Sequence, residues 1–106
     1  MTIAELVIKA YEDALDAGWH DEERKPAEFI ALMHSELSEC LEAFRQPEPL
    51  PDKHCPEFSN AAIELADCVI RIADAAGLWG FDLEGAIKAK MEANRKRGYR
   101  HGGKKL

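Results

Sequence analysis

The segment PEFSNAAIELADCVIRIADAAG, residues 56–77, sets the fold class of this chain. Its β-branched and aliphatic residues recur at the spacing of a helix, and no part of the chain shows the strict alternation of a half-buried strand. Pro56 suits the start of a helical segment and Gly77 suits its end. We therefore predict a long helix over residues 57–76 and an all-α protein.

Helix start and stop signals divide the rest of the chain into further helical segments. The start signals are a capping box, a first-turn proline and an N-cap aspartate, at Thr2–Glu5, Pro26 and Asp82. The stop signals are Gly18, the prolines at 47, 49 and 51, and Gly98. We predict a four-helix bundle whose two long central helices, 26–46 and 57–76, pack antiparallel.

The composition is that of one globular domain spanning residues 1–106. Hydrophobic residues make up 46% and charged residues 32%, which argues against disorder. No run approaches the roughly 20 apolar residues of a membrane span, and the acidic, amphipathic N-terminus is not a secretory signal. Cys40, Cys55 and Cys68 form no CxxC pair, so we expect reduced thiols and a cytoplasmic protein.

The net charge of −6 is divided unevenly along the chain. Residues 1–84 hold 6 Lys/Arg against 19 Asp/Glu, whereas residues 85–106 hold 8 Lys/Arg against Glu92 alone. This division suggests an acidic body that binds cations and a basic end that binds anions. A solvated body with a solubilising tail explains the charge equally well. Residues 98–106 are predicted to form a flexible basic tail.

Two pairs of carboxylates carry the candidate chemistry, and the members of each pair are three residues apart on a long helix. The first pair is Glu36 and Glu39, and the second is Glu64 and Asp67. At ~100° per residue, Glu36 lies at the edge of the apolar stripe of its helix and Glu39 lies about 60° further round. That stripe consists of Phe29, Met33, Leu37, Cys40, Leu41 and Phe44.

Four acidic groups that converge on one groove repel one another, and a hard divalent cation removes the repulsion. Carboxylate oxygens suit Mg²⁺, which keeps several waters and shares its shell with substrate phosphates. Glu64 and Asp67, however, lie opposite the centre of the apolar arc of their helix, which is the exposed side in a monomer. We therefore expect contacts from more than one direction, as in a helical dimer. The arc consists of Ala62, Ala66, Val69 and Ala73.

A basic stripe on the fourth helix is formed by Lys90, Asn94 and Arg97, which are spaced by four and three residues. Lysine and arginine bind phosphate, and asparagine adds a directional donor. The alternative is a cationic helix end that only complements the helix dipole.

The ordered set of motifs resembles the MazG-like all-α nucleoside triphosphate pyrophosphohydrolases. The resemblance rests on Glu36-x-x-Glu39, a gap of 24 residues, and Glu64-x-x-Asp67 within the stretch 63–70. Phe81-Asp82-Leu83-Glu84 looks like the entry to the last helix of that family, and Lys90-x-x-x-Asn94-x-x-Arg97 looks like its phosphate-handling element. The resemblance covers about residues 19–101.

The resemblance implies hydrolysis of a nucleoside triphosphate, ribo or deoxyribo, to the monophosphate and pyrophosphate with Mg²⁺ or Mn²⁺. It implies that the two carboxylate pairs ligate the metal and that the basic stripe binds the phosphates. The resemblance also implies an aromatic residue ahead of the second helix that stacks on the base of the nucleotide, and Trp19 is the candidate for it. The alternative is that Trp19 only packs at a helix junction. A homodimer or a dimer-of-dimers tetramer is implied as well. Glu39 or Glu36 is the expected general base, and the sequence leaves that choice open.

Two other classes of protein stand as alternatives. A non-enzymatic helical interaction module would bind nucleic acid or an acidic partner through its basic tail, although nucleic-acid binders usually lack a carboxylate cluster beside the basic face. A di-iron or di-manganese bundle would carry His three residues after Glu36 and Glu64, and this chain does not. We expect no membrane partner and no stable nucleic-acid binding. The Pro-rich loop 47–56 has no predicted role.

Overall fold

The structure of the protein is a computed structural model that describes residues 1–98. This part of the chain is all-helical and contains no strand apart from one isolated bridge between Pro51 and Ser59. Its helices are α1 (Ile3–Asp16), α2 (Pro26–Phe44), α3 (Asn60–Trp79) and α4 (Leu83–Lys96). The all-α, four-helix prediction is therefore confirmed. Residues 99–106, which make up nearly all of the predicted flexible tail, lie outside the described residues.

The helix ends carry the side-chain caps that the sequence predicts. The Thr2 hydroxyl accepts a hydrogen bond from the Glu5 backbone N–H, and the Glu5 carboxylate accepts one from the Thr2 N–H. At the start of α4, Asp82 Oδ1 accepts from the Gly85 N–H at 2.9 Å. Each cap satisfies donors that the first turn of a helix leaves unpaired. Gly18 has a φ of 84°, which only glycine adopts without strain just after a helix.

The third helix differs from its predicted bounds at both ends. It begins at Asn60, where the Ser59 hydroxyl caps the Ala62 N–H, and it continues through Gly77 to Trp79. A Cβ on Gly77 would lie only 2.8 Å from the Tyr11 Cβ, so this glycine allows α1 and α3 to approach closely. The stop signal is Gly80 instead, with a left-handed φ of 71°.

Helix α3 lies at the centre of the fold, because both α1 and α2 pack against it while α4 packs on α1. The Phe29 ring meets the Trp79 ring edge-on with centroids 5.8 Å apart, and the Cys68 thiol donates to the Met33 carbonyl. Small side chains fill much of the remaining contact and allow close helix approach. The buried ones are Ala10, Ala14, Ala73, Ala75 and Ala76.

The predicted apolar faces are only partly the buried ones. On α2, Phe29 and Cys40 are buried, but Leu37, Leu41 and Phe44 are exposed, the last by 72%. On α3, only Ala73 of the predicted arc is buried; the other three members, Ala62, Ala66 and Val69, are exposed. Hydrophobicity alone cannot distinguish a face that packs within the chain from one that the chain leaves open, and here both exist.

None of the helices within residues 1–98 is long and apolar enough to cross a membrane.

Candidate functional site

Three carboxylates from two helices converge at the α2–α3 contact. Oxygen atoms of Glu36, Glu64 and Asp67 all lie within 4.8 Å of one another. Helix α2 supplies the first, and α3 supplies the other two from positions three residues apart on one face. Glu36 is buried, Glu64 is half-buried, and Asp67 is exposed. Three of the four carboxylates in the two paired motifs therefore converge within a single chain.

Glu64 is the member of this acidic cluster whose negative charge is least favourable. Its Oε2 atom is buried and has no hydrogen-bond partner. Burial, as the largest cause, and the adjacent Glu39 and Glu36 carboxyls together raise the pKa of its carboxyl from 4.5 to about 7. The fourth predicted ligand, Glu39, is thus also next to the cluster. The cluster stores electrostatic repulsion that a cation would relieve.

The pKa of the Asp67 carboxyl indicates that a further acidic residue lies near the cluster. Burial raises its pKa above the ordinary value, and the charge of Glu36 raises it too, against a lowering by Arg71. Asp52 and Glu39 make smaller contributions in the same direction as Glu36. Asp52 belongs to the Pro-rich loop, is 8% exposed and accepts hydrogen bonds from the His54 and Cys55 N–H groups. The loop without a predicted role therefore brings another carboxylate toward the site.

Arg71 connects the acidic cluster to an aromatic platform. Its Nε atom donates to Glu36 Oε1 at 2.8 Å, and its guanidinium carbon lies 5.3 Å from the centroid of the Trp19 ring. The Arg24 guanidinium carbon lies 5.0 Å from the same centroid. Such cation–π contacts hold the ring and the cluster in one fixed relation.

A cavity of about 360 Å³ opens beside the cluster. Its volume is within the range of small-molecule sites. Trp19, the predicted base-stacking residue, lines it together with the predicted ligands Glu36 and Asp67. The lining also includes Arg24, Arg71 and Asp74.

The basic stripe is not part of this cavity. Lys90 is exposed on α4 and Arg97 is exposed at its C-cap, while Asn94 is half-buried with an Oδ1 atom that has no hydrogen-bond partner. Since α4 packs chiefly on α1, a single chain does not bring these three residues to the lining of the cavity.

Several site residues were missed at the level of sequence: Arg24, Asp52, Arg71, Asp74 and His20. The sequence did contain a signal for Arg71 and Asp74. These two residues continue the spacing of the second carboxylate pair, because Glu64, Asp67, Arg71 and Asp74 follow one another at spacings of three, four and three. That spacing places all four on one stripe of a helix. For His20 and Asp52, which lie in connections between helices, no pattern pointed to the site.

Comparison of this chain with protein-family models, with curated proteins and with solved structures gives no match.

The residues present fit a hard divalent cation. The donors are carboxylate oxygens without sulfur or imidazole, a set that suits Mg²⁺ and Mn²⁺. The orphaned Glu64 Oε2 supplies a buried acceptor that lacks a positive partner. Arg71 neutralises only Glu36 by direct contact, so the cluster keeps an excess of negative charge.

Proposed function

We propose that this protein is a cytoplasmic, metal-dependent pyrophosphohydrolase that cleaves a nucleoside triphosphate to the monophosphate and pyrophosphate. The proposal follows the MazG-like pattern of the sequence, with α2 and α3 as antiparallel central helices. The observation that carries it is the convergence of Glu36, Glu64 and Asp67 beside a cavity of ligand size. An acidic cluster alone would bind a cation, and the adjoining Trp19 adds a platform for a base.

Glu36, Glu39, Glu64 and Asp67 would hold Mg²⁺ or Mn²⁺. When bound, the ion would supply positive charge that offsets the carboxylates and the triphosphate. Glu36 is engaged by Arg71 and buried, whereas Glu39 is exposed next to Glu64. Glu39 is therefore the better proton acceptor for a water that attacks the α-phosphorus. The bond between the α-phosphorus and its bridging oxygen breaks, and pyrophosphate leaves.

A second copy of the chain would complete the site. Lys90, Asn94 and Arg97 do not line the cavity of their own chain, and the open apolar face of α2 and α3 suits a subunit contact. Its members include Leu37, Leu41, Phe44, Leu65 and Val69. In a dimer or a dimer-of-dimers tetramer, the basic stripe of one subunit would hold the phosphates at the cluster of its partner and offset charge in the transition state.

The direct test measures pyrophosphate release from each standard nucleoside triphosphate, with Mg²⁺ and with a chelator. Asp67→Asn and Glu39→Gln should each lower kcat by at least about 100-fold, because one loses a ligand and the other the proton acceptor. Glu12→Gln, an exposed position on α1, is the matched control and should retain full activity. Circular dichroism should show unchanged helix content in all three variants.

Near-wild-type turnover by either site variant would contradict the assignment. Salt-sensitive DNA binding with no hydrolysis of any nucleotide would favour the non-enzymatic interaction module instead.

A further inference from the structure

The stripe of charged residues on α3 that begins with Glu64 does not end at the acidic cluster. One turn beyond Asp67 it continues with Arg71, and three residues later with Asp74, and all three residues line the cavity. Asp74 lies seven positions after Asp67, which is about 10 Å along a helix. That length is comparable to the reach of a nucleotide from its α-phosphate to its base.

Asp74 is held in place by a buried partner. His20 Nε2 donates to Asp74 Oδ1 at 2.7 Å, with the two side chains only 7% and 14% exposed. The His20 ring lies between Tyr11 and Phe29, at centroid distances of 5.4 and 5.8 Å. The carboxylate is therefore fixed in orientation at the cavity wall, and its second oxygen, Oδ2, has lone pairs left for a ligand.

Trp19 offers the ring on which a base would stack. It is 43% exposed, and the guanidinium carbons of Arg24 and Arg71 lie over its ring, so a base that stacks there takes the place of a guanidinium group. A planar base has the same kind of face to present to the indole. Trp19 and Asp74 line one cavity, so a base stacked on the first would direct an edge toward the second.

We propose that Asp74, oriented by His20, is a specificity-determining residue that accepts a hydrogen bond from an exocyclic amino group of the base. The substrate class is a nucleoside triphosphate whose base carries an amino group where uracil, thymine or hypoxanthine carries a carbonyl. This inference rests on the proposed function, since it concerns which triphosphate enters the same site.

The discrimination follows from the chemistry of a carboxylate, which only accepts hydrogen bonds when ionised. An amino group on cytosine or adenine donates to it, whereas a carbonyl oxygen at the same place brings two acceptors together. A partly buried acceptor that loses its donor and meets another acceptor is strongly disfavoured.

The test compares kcat/KM for two pairs of substrates that differ only in this group, dCTP with dUTP and dATP with dITP. The wild-type protein should favour the amino-bearing member at least about 10-fold in each pair that it hydrolyses. In Asp74→Asn the ratio should fall to within about 3-fold, because an amide both donates and accepts. Asp16→Asn, at an exposed position on α1, should leave the ratio unchanged. The wild-type ratio does not depend on how well any variant folds.

Binding of dCMP against dUMP, measured by calorimetry without metal, separates this inference from the proposed function. If both triphosphates are hydrolysed without preference, or if Asp74→Asn keeps the wild-type ratio, the role of Asp74 is overturned while the activity stands. If none of the standard nucleoside triphosphates is hydrolysed, the proposed function fails. Preferential dCMP binding that Asp74→Asn abolishes would still support the base site, and equal or absent binding would overturn it.

Discussion

Replacing Glu64 by glutamine should change how the stability of the metal-free protein depends on pH. In the folded state the Glu64 carboxyl has a pKa of about 7, against an ordinary value of 4.5. Below about pH 4.5 the group is protonated in both the folded and the unfolded chain. Between 4.5 and about 7 the unfolded chain releases the proton first, so the folded state loses free energy of unfolding as the pH rises.

The size of the effect follows from the difference between these two pKa values. At about 1.4 kcal/mol per pH unit, the difference corresponds to about 3.5 kcal/mol at most. Water at the open side of the cluster, where Asp67 is exposed, screens part of the repulsion and leaves about 1–2 kcal/mol. Glutamine cannot ionise, so Glu64→Gln should lack this loss.

Urea unfolding in the presence of a chelator, followed by circular dichroism at pH 5, 6, 7 and 8, measures the effect. All samples need one protein concentration, because an oligomer unfolds in a concentration-dependent way. Relative to the wild type, Glu64→Gln should gain about 1–2 kcal/mol between pH 5 and pH 8. Glu12→Gln should follow the wild-type curve. Parallel curves for the wild type and Glu64→Gln would refute the view that the cluster confines a charge lacking a positive partner.

Two further predictions concern the packing and the assembly. Gly77→Ala should lower the free energy of unfolding by about 1–3 kcal/mol, because the new methyl group would meet the Tyr11 Cβ at 2.8 Å. Thermal and urea unfolding check this, and an unchanged stability would mean that α1 shifts freely away from α3. Lys90→Ala should weaken triphosphate use, and co-assembly with equal amounts of Glu64→Gln should restore about a quarter of wild-type activity if sites are shared between subunits. A mixture no more active than the sum of its parts would place both residues in the same subunit's site.

Local signals were sufficient for most of the secondary structure. The capping box at Thr2–Glu5, the proline at the start of α2 and the Asp82 cap act through atoms a few residues away. They can therefore be read without knowing the tertiary fold. Gly77 was misread because its role depends on Tyr11 of a distant helix, and Gly80 then took over as the stop signal.

The candidate site could also be predicted in part from local spacing. Spacing alone indicated that each carboxylate pair shares a helix face, since three residues make nearly one turn. The spacing also led to the prediction that one metal site contains Glu36, Glu39, Glu64 and Asp67. How deeply each is buried did not follow, since the apolar pattern placed both Glu64 and Asp67 on the exposed side of α3, whereas Glu64 is half-buried and only Asp67 is exposed.

By itself, then, the sequence determined the helices, their caps and the two acidic motifs, because those depend on contacts between near neighbours in the chain. Only the tertiary structure decided that Glu36 is buried against Arg71, that Trp19 shares its cavity, and that His20 fixes Asp74. The hydrogen bond between Arg71 and Glu36 joins residues 35 positions apart, and the one between His20 and Asp74 joins residues 54 positions apart. Their formation depends on which faces of α1, α2 and α3 meet, and that choice is made by close packing of small side chains rather than by hydrophobic spacing.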